Sequence, residues 1–166
     1  MQFELKPVSQ SAIPDALERA HRYRLLNEPW QAESICQDVL KVDPGNQTAA
    51  VTLLLALTDQ FCVDSSPARA REVLATIQGA YEQAYYAGII AERSARARIR
   101  QGFRGANLKA YQELTDAMRW YEEAEKLRPA GNDDSILRWN TCARMLMRHP
   151  ELRPQPEERL EPVLDD

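Results

Sequence analysis

The same helix-ending pattern occurs twice in this chain, and it limits how the chain can fold. Residues 32–46 read AESICQDVLKVDPGN, and residues 117–133 read AMRWYEEAEKLRPAGND. In each stretch an alanine lies twelve residues before a proline, and a lysine followed by an apolar residue lies just before that proline. The two prolines, Pro44 and Pro129, stand 85 residues apart. Because proline with a nearby glycine ends a helix, both stretches predict a helix that stops and turns back.

The remaining sequence also predicts helices joined by short connections. Glycine is scarce, at 6 residues, and no alternating strand pattern is present. Breaks at NEP, DPGN, CVDSSP, QGFRGAN and PAGNDD divide the chain into helices, and Gly79 either separates a fourth helix from a fifth or bends one longer helix. We therefore expect an all-α fold of about seven helices in antiparallel pairs. The predicted helices cover about 12–27, 29 to the DPGN turn, 47–62, 67–78, 80–101, 107–128 and 134–148.

Several polar residues are predicted to cap these helices. Asn46 precedes the third helix and Ser65 or Ser66 precedes the fourth, and all three are good N-cap residues. Asp133 and Asp134 stand at the start of the seventh helix, where a negative charge favours the positive end of the helix dipole.

The first helical pair resembles a known repeat. It carries Ala20 three residues before Tyr23, then Ala32 four residues before Cys36, and it ends at Pro44. This arrangement resembles the tetratricopeptide repeat, a 34-residue helical pair in which small residues let the helices approach and a proline ends the second helix. In that family an aromatic residue usually stands where this chain has Cys36.

The second copy of the pattern resembles the end of a later repeat, through Ala117, Tyr121 and Pro129. Two 34-residue periods leave 17 of the 85 residues over, so we expect the fifth and sixth helices to form a lengthened hairpin that protrudes. The resemblance implies a tetratricopeptide-like α-solenoid of about three repeats over residues 1–150, with the seventh helix as a cap.

Charge is concentrated in residues 151–166. This proline-containing segment has six acids and two arginines, while the whole chain has a net charge of −4. We therefore expect 151–166 to be a flexible acidic tail, and the nearly neutral remainder argues against a nucleic-acid partner. The apolar stretch VTLLLALT is too short to cross a bilayer, and the beginning of the chain has no signal-peptide pattern.

Residues that could support catalysis are few. The three cysteines, Cys36, Cys62 and Cys142, have no CxxC spacing, which favours free thiols in a reducing cytoplasm. Of the two histidines, only His21 lies three residues after a glutamate, and a bundle metal site needs a second such pair. The chain has no phosphate-binding or nucleophile motif, so we expect no metal, no cofactor and no enzymatic activity.

Arginines follow one another through the predicted hairpin, and no acid stands among residues 93–104. Arg93, Arg96 and Arg100 have helical spacing and should share one face, while Arg98 and Arg104 complete the run. Three interpretations remain open: a solvated face neutralised by glutamates of the sixth helix, a patch that binds a partner, or a dock for the acidic tail.

The resemblance implies a non-catalytic module that holds a protein or peptide partner in a concave groove, lined by the first, third, fifth and seventh helices. An obligate structural subunit or homo-oligomer is one alternative, and a small helical enzyme or ligand sensor is a weaker one. Tyr85 and Tyr86 point about 100° apart on a helix, so one of them should face the groove. The predicted partner-binding residues are His21, Arg24, Asp59, Tyr85, Tyr86, Arg93, Arg96, Arg100, Asn140 and Arg144.

Overall fold

A computed structural model describes residues 3–62, 67–102 and 106–154, and all regular structure within those ranges is helical. The all-helical prediction and the seven predicted helices are confirmed there. Short 3-10 turns flank them at Gln10–Ala12 and Pro150–Leu152. The α-helices are α1 (Ile13–Leu25), α2 (Pro29–Val42), α3 (Gln47–Asp59), α4 (Pro67–Leu74), α5 (Ala80–Gln101), α6 (Ala106–Leu127) and α7 (Asp134–Arg148).

Local signals set most of the helix ends. The Asn46 side chain accepts a hydrogen bond from the amide of Ala49 at 2.9 Å, so the predicted cap of α3 is confirmed. Pro29 and Pro67 open α2 and α4, where a missing amide hydrogen costs little. Gly79, at φ +94°, separates α4 from α5, and no single longer helix forms.

Three predictions about helix ends need correction or fall outside the described residues. The fourth helix ends at Leu74 instead of about 78, because the amides of Thr76 and Ile77 bond three residues back in a tight turn. Asp133 holds the N-cap position of α7, but its carboxylate pairs with Arg128 and makes no cap hydrogen bond. The proposed caps at 65 and 66 lie outside the described ranges.

Consecutive helices pack against one another along the chain, and α3 also contacts both α1 and α5. The alternate helices α1, α3 and α5 therefore lie side by side. Three apolar clusters result, the smallest at the start of the chain around Ile13. α5 contributes to the other two, because Ile90 packs with the α1–α4 side and Ala95 packs with α6 and α7. Ala20, Ala32 and Ala117 have no exposed surface, as expected where helices approach closely.

The α5–α6 hairpin is longer than the other pairs, with 22 residues in each helix. However, its far end is covered on both sides, by Phe61 against Ala97 and by Leu152 against α6. The predicted free protrusion is therefore not found as far as Arg100, where a side-chain nitrogen reaches the Cys62 sulfur. The turn at 103–105 lies outside the described ranges.

The packed part of the chain extends beyond residue 150. Leu152 is buried in the α6–α7 cluster, and the backbone oxygen of Glu151 accepts a hydrogen bond from Asn107 at 3.4 Å. The first residues of the predicted acidic tail thus pack against α6. Residues 155–166 lie outside the described ranges.

Candidate partner-binding surface

Two of the predicted groove residues, Arg24 and Arg93, bind the carboxylate of a third, Asp59. Asp59, the last residue of α3, accepts a hydrogen bond from Arg24 of α1 at 2.8 Å and a close one from Arg93 of α5. The side chains of Arg24, Asp59 and Arg93 are 14%, 24% and 20% exposed. This Asp59 network ties α1, α3 and α5 together, and part of it remains in contact with solvent.

Arg93 makes two further hydrogen bonds besides its pairing with Asp59. Its guanidinium also donates to the Thr58 hydroxyl at 2.6 Å and to the Leu55 carbonyl oxygen at 3.2 Å. Burial lowers the pKa of Arg93, and the nearby Asp59 carboxylate opposes that change. Arginine stays charged at any physiological pH, so these bonds fix a permanent positive charge between α3 and α5.

A second carboxylate, which the sequence reasoning missed, lies one residue before Arg93. Glu92 is fully buried in the middle of α5 and accepts a hydrogen bond from the Tyr121 hydroxyl at 2.8 Å. Arg138 of α7 donates to it at 3.2 Å, and Arg96 lies 3.6 Å away. This Glu92 network connects α5, α6 and α7. A buried charge is tolerated when it is paired and hydrogen-bonded in this way.

The tyrosine in the Glu92 network stays protonated. Burial, and then the adjacent Glu92 carboxylate, raise the pKa of Tyr121 far above its usual value of 10.0. Burial alone would lower the pKa of Arg138, but the charge of Glu92 opposes burial and the pKa is raised overall. The phenol therefore donates and the guanidinium stays positive, so the carboxylate keeps both partners.

A glycine makes room for this tyrosine. A β-carbon placed on Gly88 would lie 2.5 Å from the nearest ring atom of Tyr121, closer than any real side chain allows. The missing side chain at this helical position lets α6 place the aromatic ring against α5. The sequence signal was visible as a glycine inside a long predicted helix, which often marks a close approach.

The arginine stripe lines a small pocket between the end of α3 and the last part of α5. Arg93, Arg96 and Arg100 share this pocket, as their helical spacing predicts. The pocket, hereafter the arginine pocket, has a volume of about 160 Å³. Its lining residues are Thr58, Asp59, Phe61, Cys62, Arg93, Arg96, Ala97 and Arg100.

The other arginines of the run do not share that face. Arg98 points toward α6, where its Nε–H is shared between the two carboxylate oxygens of Glu113, at 2.8 and 2.9 Å. The predicted neutralisation by a glutamate of the sixth helix therefore applies to Arg98. Arg96 and Arg100, in contrast, are exposed on the pocket side. Arg104 lies outside the described ranges.

The two adjacent tyrosines pack into different apolar clusters. Tyr86 packs against the apolar cluster on the α1–α4 side, and Tyr85 packs against the cluster formed with α6 and α7. The two rings meet edge to face, with their centroids 5.2 Å apart. Burial, and then the neighbouring Tyr85, raise the pKa of Tyr86 to about 12. Both rings are partly buried, so the expectation that one of them faces a groove stays a prediction.

The remaining predicted binding residues do not line the arginine pocket. His21 and Arg144 are exposed, on α1 and α7, and Asn140 is partly buried on α7. A separate pocket of about 240 Å³ lies where α4, α5 and α6 meet, and Trp120 forms part of its edge with 46% of its surface exposed.

Within the described ranges, no three His, Cys, Asp or Glu side chains lie close enough together to hold a metal ion. Cys36 and Cys142 are buried, and burial raises the pKa of each thiol to about 12, so neither is a reactive thiolate near neutral pH. Cys62 is exposed at the arginine pocket. Among the described residues, none of the helices combines the length and the apolar character that a membrane crossing needs.

No family model, curated protein or solved structure matches the chain.

Proposed function

We propose that this chain is a non-catalytic interaction module, an adaptor, scaffold or assembly factor, which binds a protein or peptide along the surface formed by α1, α3, α5 and α7. We infer that its helical pairs stack as in tetratricopeptide repeats, with the first helix of each pair facing the partner. The free thiols of Cys36, Cys62 and Cys142 fit a cytoplasmic protein.

One observation carries this proposal: charged side chains from all four of these helices meet along one seam. Arg24 of α1 and Arg93 of α5 bind Asp59 of α3, and the next residue of α5, Glu92, binds Arg138 of α7. Such a seam requires the alternate helices to lie near one another, which is the arrangement that a stacked array of helical pairs produces. Its partly exposed polar groups are suited to orienting a partner.

The chemistry of the seam favours an acidic partner. Five arginines surround two carboxylates: Arg24 and Arg93 bind Asp59, Arg96 and Arg138 lie against Glu92, and Arg100 stands beside them in the arginine pocket. A surplus of positive charge on one face attracts negatively charged segments and orients them. The proposal does not include a nucleic acid, because outside its acidic end the chain is nearly neutral.

The test is selection from a display library of random peptides, followed by affinity measurement on purified chain. We expect enriched peptides to be acidic, and to lose at least about tenfold in affinity when Arg96 and Arg100 are both changed to Ser. A matched control carries Arg119→Ser and Arg148→Ser, which alter two exposed arginines outside the pocket and change the net charge equally. Failure to enrich any peptide, or equal loss in both variants, would argue against the module.

An obligate subunit or homo-oligomer is the second candidate. Leu25, Leu26 and Trp30, around the α1–α2 turn, are 74%, 62% and 56% exposed, and such apolar groups often mark an interface. The apolar helix α3 gives no such support, because eight of its residues are already buried within the chain. Sedimentation equilibrium decides between a monomer and a stable oligomer, and Trp30→Ser tests whether this turn forms the contact.

A further inference from the structure

We propose that the arginine pocket receives the acidic segment of this same chain, residues 155–166. The segment reads QPEERLEPVLDD and contains five acids and one arginine. The proposal goes beyond the partner-binding function and does not depend on it, since a pocket can hold its own chain whether or not it also holds a partner.

The pocket carries more positive charge than the nearby carboxylates neutralise. Among the described residues that line the pocket, Asp59 is the one acid, and it is already shared by Arg24 and Arg93. Arg96 lies 3.6 Å from Glu92, but that buried carboxylate is already bonded to Arg138 and Tyr121. Like charges held this close together repel one another unless an opposite charge is nearby.

Arg100, toward the end of α5, has only a weak partner among the described residues. In the described part of the chain, its guanidinium contacts the Cys62 sulfur at 3.5 Å and forms no ion pair with a carboxylate. A sulfur is a weak acceptor for a charged donor. Two adjacent carboxylates near the end of the segment, such as Asp165 and Asp166, would satisfy Arg96 and Arg100 with bidentate geometry that a sulfur cannot offer.

The acidic segment is also long enough to reach the pocket. The described chain ends at Pro154, just after the backbone of Glu151 bonds to Asn107 at the start of α6. Arg100 is only seven residues from Asn107 along the hairpin, which limits the distance between their α-carbons to about 25 Å. Twelve residues beyond Pro154 can extend about 40 Å, so the acidic segment can reach the pocket.

A weak attraction is enough for docking when both groups belong to one chain. Each exposed ion pair contributes little by itself, and salt screens it further. A segment tethered by a few residues, however, meets its site at an effective concentration in the millimolar range. Docking of 155–166 should therefore be substantial at low salt and should disappear as the ionic strength rises.

The native thiol at the pocket provides the probe. Cys62 is exposed and lines the pocket, whereas Cys36 and Cys142 are fully buried, so a neutral reagent such as N-ethylmaleimide reports on this one position. The experiment compares the intact chain with a full-length variant in which Glu157, Glu158 and Glu161 become Gln, and Asp165 and Asp166 become Asn. We expect Cys62 to be alkylated at least about threefold faster in the neutralised variant at about 0.02 M salt, and the difference to vanish at about 0.5 M.

Two further variants identify the groups responsible. Adding Arg96→Ser and Arg100→Ser to each chain should abolish the difference between the acidic and neutralised segments. Adding Arg119→Ser and Arg148→Ser, the same charge change outside the pocket, should preserve it. Circular dichroism of every variant checks that the helices remain.

Protection should also be independent of protein concentration, because the contact is within one chain. A free peptide of residues 155–166 should slow alkylation of the neutralised variant and leave the intact chain nearly unchanged. Equal Cys62 rates in the intact and neutralised chains would overturn the proposal. So would protection that grows with protein concentration, protection that survives loss of Arg96 and Arg100, or slowing by unrelated acidic peptides but not by this one.

Discussion

Asp59 and Glu92 each bind two arginines, yet their surroundings differ. Asp59 ends a helix, keeps 24% of its side chain exposed and joins α1, α3 and α5. Glu92 lies in the middle of a helix with no exposed surface and joins α5, α6 and α7. Water can replace a lost partner at Asp59, but it cannot reach Glu92. We infer that the Glu92 network holds the second half of the fold together and that the Asp59 network is available for binding.

Removal of the buried carboxylate should cause the largest loss. Glu92→Ala leaves Arg138 and the Tyr121 hydroxyl without their acceptor, so we expect the free energy of unfolding to fall by about 3 kcal/mol. Urea denaturation followed by circular dichroism measures this change. Glu123→Ala serves as the control, because this exposed glutamate on α6 pairs with an exposed Lys126 and its loss should leave stability nearly unchanged. Similar losses in the two variants would show that Glu92 is not an essential buried charge.

Filling the space under Tyr121 should disturb the same network indirectly. Gly88→Ala places a β-carbon 2.5 Å from the ring, so the ring must move away from Glu92, and we expect a loss of about 2 kcal/mol. The higher helix propensity of alanine offsets part of that loss. Gly45→Ala is the matched control, since no atom lies within 4 Å of its added carbon. A Gly88→Ala chain as stable as the wild type would mean that α5 and α6 separate easily.

The Asp59 network should tolerate the corresponding change. Asp59→Ala removes a partly exposed carboxylate whose two arginines can then be hydrated, so we expect the free energy of unfolding to fall by about 1 kcal/mol. Peptides selected on the wild-type chain should bind this variant at least as well, because the pocket becomes more positive. A loss as large as that of Glu92→Ala would remove the distinction between the two networks.

The buried thiols provide a smaller test with a defined pH window. Burial raises the pKa of Cys142, near Glu92, and of Cys36, near Arg24, from 9.0 to about 12. Since the folded state favours the neutral thiols, their contribution to stability is complete below pH 9 and is lost as the pH rises toward 12. Between pH 8 and pH 10 each thiol should lower the free energy of unfolding by less than about 1.4 kcal/mol. Urea midpoints of Cys36→Ala and Cys142→Ala should fall less over that interval than the wild-type midpoint, while Cys62→Ser should follow the wild type.

The sequence allowed prediction of the features that depend on local signals. Helix content, the Asn46 cap and the buried alanines at helix crossings follow from spacing and from residue types. The shared face of Arg93, Arg96 and Arg100 follows from the helical repeat. The stacking of the helical pairs as a repeat array stays a prediction.

The features that were missed depend on contacts between distant segments. Glu92 looked like an ordinary helical glutamate, because its burial is created by Tyr121 and Arg138, which lie 29 and 46 residues away. Asp133 looked like a cap, but a stronger local partner, Arg128, takes its carboxylate. The packing of Leu152 on α6 was also unexpected, since a single apolar residue among prolines and acids has no periodicity to mark it.

A pair of double-mutant cycles tests the distinction between the two networks most directly. One cycle combines Glu92→Gln with Arg138→Met, and the other combines Asp59→Asn with Arg24→Met, with the free energy of unfolding measured for every chain in urea. We predict a coupling of about 2 kcal/mol or more between Glu92 and Arg138, and below about 1 kcal/mol between Asp59 and Arg24. Equal couplings, or a larger one at Asp59, would contradict the assignment of one network to folding and the other to binding.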